Sequence, residues 1–276
     1  MSKVAGREFV KMSGSGNDFV MVDARTVPPG ELAEPDVIAS ICARGTGIGA
    51  DGIVFLLPSH RADVQLLYLN SDGSVADLCG NATLCTTRLA VRLGTAKQEG
   101  MTIETGAGII RSRILPSGDP EIDLQEVTDV RPVAERIQAD PPERRIGFAK
   151  AGIPHLVIEV PDVAQVDVTG RGRPLRSHES LRPAGANVNF IAPTAGGVWA
   201  IRTYERGVEG ETLACGTGAV ASAILIAQWE NKSGPISLKT KSGRQLTVRL
   251  KRTVAGWLPS LSGEARFVFE GRFGEL

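Results

Sequence analysis

The sequence predicts an α+β fold built as two similar domains, each mainly antiparallel strands wrapped around a central helix. Three observations carry this. Short apolar runs of strand length alternate with Gly-, Asn- and Ser-containing turns. Two helical segments, 83–93 and 219–229, are rich in apolar residues, the second almost all round, which requires burial on every side. In each half of the chain the same order recurs: strand, polar turn, Cys-Gly step, buried helix. We expect a first domain over 1–126 that carries Cys79 and a second over 127–263 that carries Cys215. The closing segment, 264–276, is expected to return to the first.

The elements justify themselves in order. Apolar runs 9–12 and 19–22 flank Ser13-Gly14-Ser15-Gly16-Asn17-Asp18 and read as a strand pair around a Gly-rich turn. A short helix follows over 35–43, ended by Arg44-Gly45, then buried strands at 52–57 and 64–69. The first Cys-Gly step, Cys79-Gly80, precedes the helix that stops at Gly94. Gly106-Ala107-Gly108 joins strands 101–105 and 109–115 as a hairpin. The polar stretch 128–145, with Pro132, Pro141 and Pro142, marks the domain crossing. Strands then recur at 155–160 and 198–204. After the second step, Cys215-Gly216, and its helix come strands 236–238 and 245–250 around Ser242-Gly243, and a last strand over 266–269.

The 276 residues suffice for two medium domains, and 42% apolar content fills their cores. Basic and acidic residues balance at 31 each, so no field is built for nucleic acid or an anionic membrane. The longest apolar stretch, 219–229, is too short to span a bilayer, and the first residues run straight into a strand pattern. We therefore expect a soluble, cytoplasmic protein. Of the four cysteines, Cys42 and Cys85 read as small buried hydrophobes. No Cys-x2-4-Cys pair offers zinc ligands, so no metal is expected. Gly45-Thr46-Gly47-Ile48-Gly49-Ala50-Asp51-Gly52 lacks the Lys-Ser/Thr ending of a phosphate loop and is not read as a nucleotide site.

Cys79 and Cys215 carry the chemistry. A helix start lowers a thiol's pKa and makes it an acid or base near neutrality. Gly80 and Gly216 leave room for a ligand, and the backbone N–H groups that follow can hold a carboxylate. A matched pair of such thiols suits 1,1-proton transfer at the α-carbon of an amino acid. One thiolate takes the proton from one face and the opposite thiol returns one to the other, while oriented N–H groups stabilise the charge that builds on the carboxylate. Glu205, Arg206 and His155 are candidate helpers that tune the thiols or bind an ammonium group. For Glu205-Arg206 a solvated turn pair is an equal reading, and a lone histidine such as His155 is more often structural. Asn17, Asn70, Asn81 and Asn187 all lie in turn contexts beside Gly-rich or Cys-containing steps, where turn chemistry is the ordinary reading. His60 and His178 read as surface residues.

Taken together, these motifs resemble the diaminopimelate epimerase family over nearly the whole chain. The markers are Lys11-Met12-x-Gly14-x-Gly16-Asn17-Asp18-Phe19, Gly47-x-Gly49-Ala50-Asp51-Gly52, Asn70-x-Asp72-Gly73-Ser74, Cys79-Gly80-Asn81, Gly185-Ala186-Asn187-Val188, and the run 204–218 from Tyr204-Glu205-Arg206 to Ala214-Cys215-Gly216-Thr217-Gly218. The resemblance implies a cofactor-independent enzyme, with two like domains closing over the substrate. It would interconvert LL- and meso-diaminopimelate for lysine and peptidoglycan synthesis, commonly as a homodimer. It makes Cys79 and Cys215 the base and acid. Asn17, Asn70, Asn187, Glu205 and Arg206 become binding positions. Gly80, Asn81, Gly216 and Thr217 become the backbone donors to the reacting carboxylate, and His155 a site histidine. Two positions depart from the family's usual pattern. Leu84 stands where an arginine is common, and Ile153 replaces an asparagine that contacts the far end of the substrate. Three other readings stay open on sequence: a racemase of another amino acid on the same scaffold, a non-catalytic amino-acid binder, and a thiol redox protein.

Overall fold

In the computed structural model, which describes residues 4–133 and 136–274, the chain divides into two units, 1–122 with 262–276, and 123–261. The first unit opens on the hairpin β1 (Glu8–Gly14) and β2 (Asn17–Asp23). Its turn residues Ser15 and Gly16 both have positive φ, at 53° and 118°, as a two-residue turn between twisted strands requires. Helix α1 (Pro35–Cys42) begins with proline at a position where the missing N–H costs nothing. Strand β3 (Gly52–Leu57) then lies parallel to β2, and β4 (Val64–Asn70) antiparallel to β3. A short β5 (Val75–Ala76) leads to helix α2 (Gly80–Arg92). Strand β6 (Met101–Thr105) pairs parallel to β4, and β7 (Gly108–Ile114) and β8 (Pro120–Asp123) follow antiparallel.

The second unit repeats this order. After a two-residue β9 (Val130–Arg131), β10 (Arg145–Ala151) and β11 (Ile153–Glu159) form the hairpin. Helix α3 (Val168–Arg176) stands where α1 stood, and β12 (Asn187–Pro193) lies parallel to β11. Then come β13 (Trp199–Glu205), the short β14 (Gly210–Thr212) and helix α4 (Gly216–Trp229). Strand β15 (Ile236–Lys239) runs parallel to β13, and β16 (Gln245–Arg252) antiparallel to β15. Strand β17 (Trp257–Gly263) leads out of the unit, and β18 (Ala265–Arg272) pairs with β1 in the first. Each unit thus places its parallel pairings at the same points of an otherwise antiparallel sheet, as the α+β, two-copy prediction requires.

Each sheet encloses one helix. In α4 every residue from Gly218 to Ala227 is buried, against β10, β11, β12, β15 and β16. In α2 burial runs from Asn81 through Thr87, and Leu89 and Ala90 add to it. Among the described residues no helix is long and apolar enough to cross a membrane. Several elements lie outside those expected from the residues, α3, β10, β12 and β17 among them. Helix α3 contains Gly170, Gly172 and Pro174, and β10 follows directly on the proline-rich stretch. Gly172 is there because Tyr204 packs against it; a Cβ would lie 2.6 Å from the tyrosine's own Cβ.

Close approach also sets β1 against the start of α2. A Cβ on Gly14 would sit 2.8 Å from the carbonyl oxygen of Asn81 and 2.9 Å from Cys85 Sγ. Gly14→Ala is therefore expected to destabilise the protein by about 1–3 kcal/mol through overpacking. Gly100→Ala, with nothing within 4 Å of its Cβ, should stay within about 0.5 kcal/mol of the parent. Urea unfolding midpoints of the two variants check the difference.

Candidate active site

Cys79 and Cys215 are the residues that begin α2 and α4. Their backbones match: φ −128°, ψ 112° at Cys79, and φ −134°, ψ 108° at Cys215. Each keeps an extended conformation while its carbonyl accepts the first bond of the helix, from Thr83 N–H and Ala219 N–H, both at 2.9 Å. The side chain thus stands at the helix mouth, ahead of amides that have no partner inside the helix. Gly80-Asn81 and Gly216-Thr217 form the first turns, so the expected backbone donors sit at the two helix starts. None of the four cysteines is in a disulfide. Cys42 and Cys85 are buried; desolvation pushes Cys42 up to about 11 and raises Cys85 as well.

Around α2 the first unit builds a chain of amides with one forced direction. Asp51 Oδ2 accepts from Asn17 Nδ2 at 2.9 Å and from Asp18 N–H at 3.2 Å. Asn17 therefore turns its carbonyl outward, where Asn81 Nδ2 donates to it at 2.7 Å. Asn81 Oδ1 is left buried without a partner among the described residues, available as an acceptor. Asp51 is anchored in turn by Arg44, which bridges it to Asp18 at 2.8 and 2.6 Å, and Asp18 meets the buried Lys11 at 2.8 Å. Despite burial, these two cations hold the Asp18 carboxyl below its ordinary value. Asn70 stands apart from this chain of bonds. Its amide donates to Ser74 Oγ at 3.0 Å, closing the β4–β5 turn, and its backbone lies opposite Gly52.

The second unit gathers His155, Asn187, Glu205, Arg206, Cys215 and Thr217. Asn187 is fully buried. Its Oδ1 accepts from Arg206 N–H at 2.8 Å, and its Nδ2 points to Cys215 Sγ at 3.8 Å. Thr217 Oγ1 lies 3.5 Å from the same sulfur. The Arg206 guanidinium donates to Ala184 O at 2.8 Å. Here one expectation is corrected: the helix start does not lower the Cys215 thiol. Burial, and then the charge of Glu205, push it up to about 12, against the opposing pull of Thr217, the Gly218 amide and Asn187. Burial also raises the Glu205 carboxyl. His155 is fully buried, and desolvation followed by the Arg206 charge pushes it down to about 3. His60 is exposed and His178 bonds within its own turn, to Ser180.

Two residues were not singled out from sequence as site residues. Asp51 sits in the Gly-rich loop set aside as a phosphate site. Asn189 is fully buried beneath the start of α4, two residues after Asn187. The signal for it was available: positions i and i+2 of a strand share a face. Among the described residues no group of three His, Cys, Asp or Glu side chains is placed to hold a metal ion.

Comparison with known proteins shows the family of the chain. The family model described as diaminopimelate epimerase matches residues 9–128 and 147–268. A diaminopimelate epimerase of Gemmatimonas aurantiaca is 51% identical, covering 97% of this chain and 99% of that protein. One from Aquifex aeolicus is 37% identical, covering 97% and 98%. Among solved structures, a phenazine biosynthesis protein of the PhzF family from Bacillus anthracis superposes with a TM-score of 0.75 at 18% identity, over 97% of this chain and 98% of that one. A hydroxyproline epimerase from Agrobacterium vitis, with bound trans-4-OH-L-proline, gives 0.67 at 15% identity, over 100% and 95%. These structures share the fold. The family model and the relatives, each spanning nearly the whole sequence, show that this chain belongs to the diaminopimelate epimerase family and is an isomerase.

Proposed function

We propose that the protein interconverts LL- and meso-2,6-diaminopimelate by two-thiol proton transfer at one α-carbon, without pyridoxal phosphate or a metal. The observation that carries this reading is the matched pair of cysteines, each heading a buried helix with the same backbone geometry, in a chain of this family. In one direction a thiolate removes the α-proton and becomes a thiol. The electron pair delocalises into the carboxylate, and the opposite thiol gives its proton to the other face, becoming a thiolate. The reverse reaction exchanges the roles. The amides of Gly80, Asn81, Gly216 and Thr217 stabilise the charge on the carboxylate. Asn17, Asn70, Asn187, Glu205 and Arg206 bind the polar groups of the substrate, and His155 supports the site. Cys215, raised by burial and by Glu205, is held as a thiol at neutral pH and suits the role of proton donor. The same reading takes the enzyme as a cytoplasmic homodimer of the lysine and peptidoglycan routes.

Turnover in deuterated water should place deuterium at the α-carbon of diaminopimelate with no added cofactor. Dependence on pyridoxal phosphate, or faster exchange with another amino acid in a panel of histidine, lysine, glutamate and proline, would overturn the assignment. Cys79→Ser and Cys215→Ser should each lower kcat by about 10²–10⁴-fold, the range for losing general acid–base help. Retained activity in either variant would argue against a two-thiol reaction.

Glu205→Gln separates charge from chemistry. Because the carboxylate raises Cys215, its removal should lower the thiol's pKa and speed alkylation of Cys215 by iodoacetamide at neutral pH. The epimerase rate is expected to fall in the same variant. Mass-spectrometric alkylation kinetics, read against kcat, test both signs.

A further inference from the structure

Below Cys215 a single amide is fixed from three sides. The carbonyl of Leu156 can only accept, and Asn189 Nδ2 donates to it at 2.8 Å. At the other end of the amide, Thr203 Oγ1 donates to Asn189 Oδ1 at 2.9 Å. The strand register explains why these groups meet: Asn189 on β12 lies opposite Thr203 on β13 and Val157 on β11. With its orientation set by these two bonds, the amide nitrogen also lies 3.2 Å from His155 Nδ1. An amide NH2 has no acceptor capacity, so Nδ1 must contribute its lone pair, and the ring proton belongs on Nε2. That nitrogen is buried and has no partner among the described residues.

We infer that Asn189 is a positioning residue that locks His155 in its neutral Nε2–H tautomer, so that the open nitrogen of the histidine offers a hydrogen-bond donor and not a base. Burial of the whole ring and the nearby Arg206 charge oppose a second proton, in keeping with this arrangement. The same amide underlies the thiol's helix: a Cβ on Gly218 would lie 2.3 Å from Asn189 Oδ1 and 3.2 Å from Cys215 Sγ. An N–H buried without an acceptor is costly, which keeps this one for an incoming acceptor. On the function proposed above, on which this last step rests, the acceptor is a carboxylate oxygen of the substrate.

Long-range ¹H–¹⁵N spectra of the full-length protein labelled at histidine test the inference, with the His155 signals identified by their loss in His155→Gln. We expect a pyridine-type Nδ1 and a pyrrole-type Nε2 at neutral pH. Asn189→Asp sets an acceptor against Nδ1, so the proton should move there, with a drop in kcat of at least about tenfold and a smaller change in KM. A wild-type His155 protonated on Nδ1 would overturn the inference, and that spectrum decides even where the variant does not fold. Asn189→Asp keeping the Nε2–H form would overturn it too. A shifted tautomer with unchanged kcat would remove the role given to the Nε2–H donor. A wild-type chain with the expected tautomer but no epimerase activity would refute the proposed function and leave the tautomer assignment standing.

Discussion

A helix buried on every side can meet a ligand only at its ends, and this constraint organises both units. The apolar face of α4 runs all the way round, so the sheet must enclose it. What remains open is the N-terminal mouth, where the backbone presents unpaired amides and a partial positive charge. Cysteine at that mouth is followed by glycine, which adds no side chain of its own beside the thiol. The second unit repeats the first in strand order, pairing sense and cysteine backbone angles. Repetition of one mechanical solution supplies two thiols with the same backbone placement.

Similar backbones do not give similar polar shells. The first unit surrounds its helix start with amides aligned by a carboxylate: Asp51 orients Asn17, and Asn17 orients Asn81. The second places a carboxylate, Glu205, where its charge reaches the thiol directly. Proximity to a helix terminus favours the thiolate, but in the second unit desolvation of a buried sulfur, joined by that like charge, is the larger effect. The balance shifts the Cys215 thiol upward, toward its protonated form. The exposed Arg44 bridge adds little stability of its own. Its consequence is directional, because it fixes which way each amide downstream must face.

Much of this was legible in the residues themselves. The two Cys-Gly steps, the β1–β2 turn and the all-apolar helix each declared their structure through local chemistry. Legibility failed where tertiary packing overrode propensity. Gly170, Gly172 and Pro174 are poor helix formers, yet α3 forms, capped by Asp167, and Gly172 lets Tyr204 pack against it. The Cys215 thiol was expected to be lowered because a helix terminus is visible in sequence, whereas the depth of burial is not. Asn189 shares a strand face with Asn187 at two-residue spacing, but the residues alone do not say that this face points inward. Only the pairing of β12 between β11 and β13 reveals that it does.

The return of β18 to β1 has a consequence for how the chain is made. The second unit lies between residues 123 and 261, whereas the first unit lacks the strand next to β1 until β18 follows. On a ribosome the later half is therefore complete before the earlier one. The hairpin of β1 and β2 must wait through most of synthesis with one edge unpaired. Such an edge invites pairing with other chains.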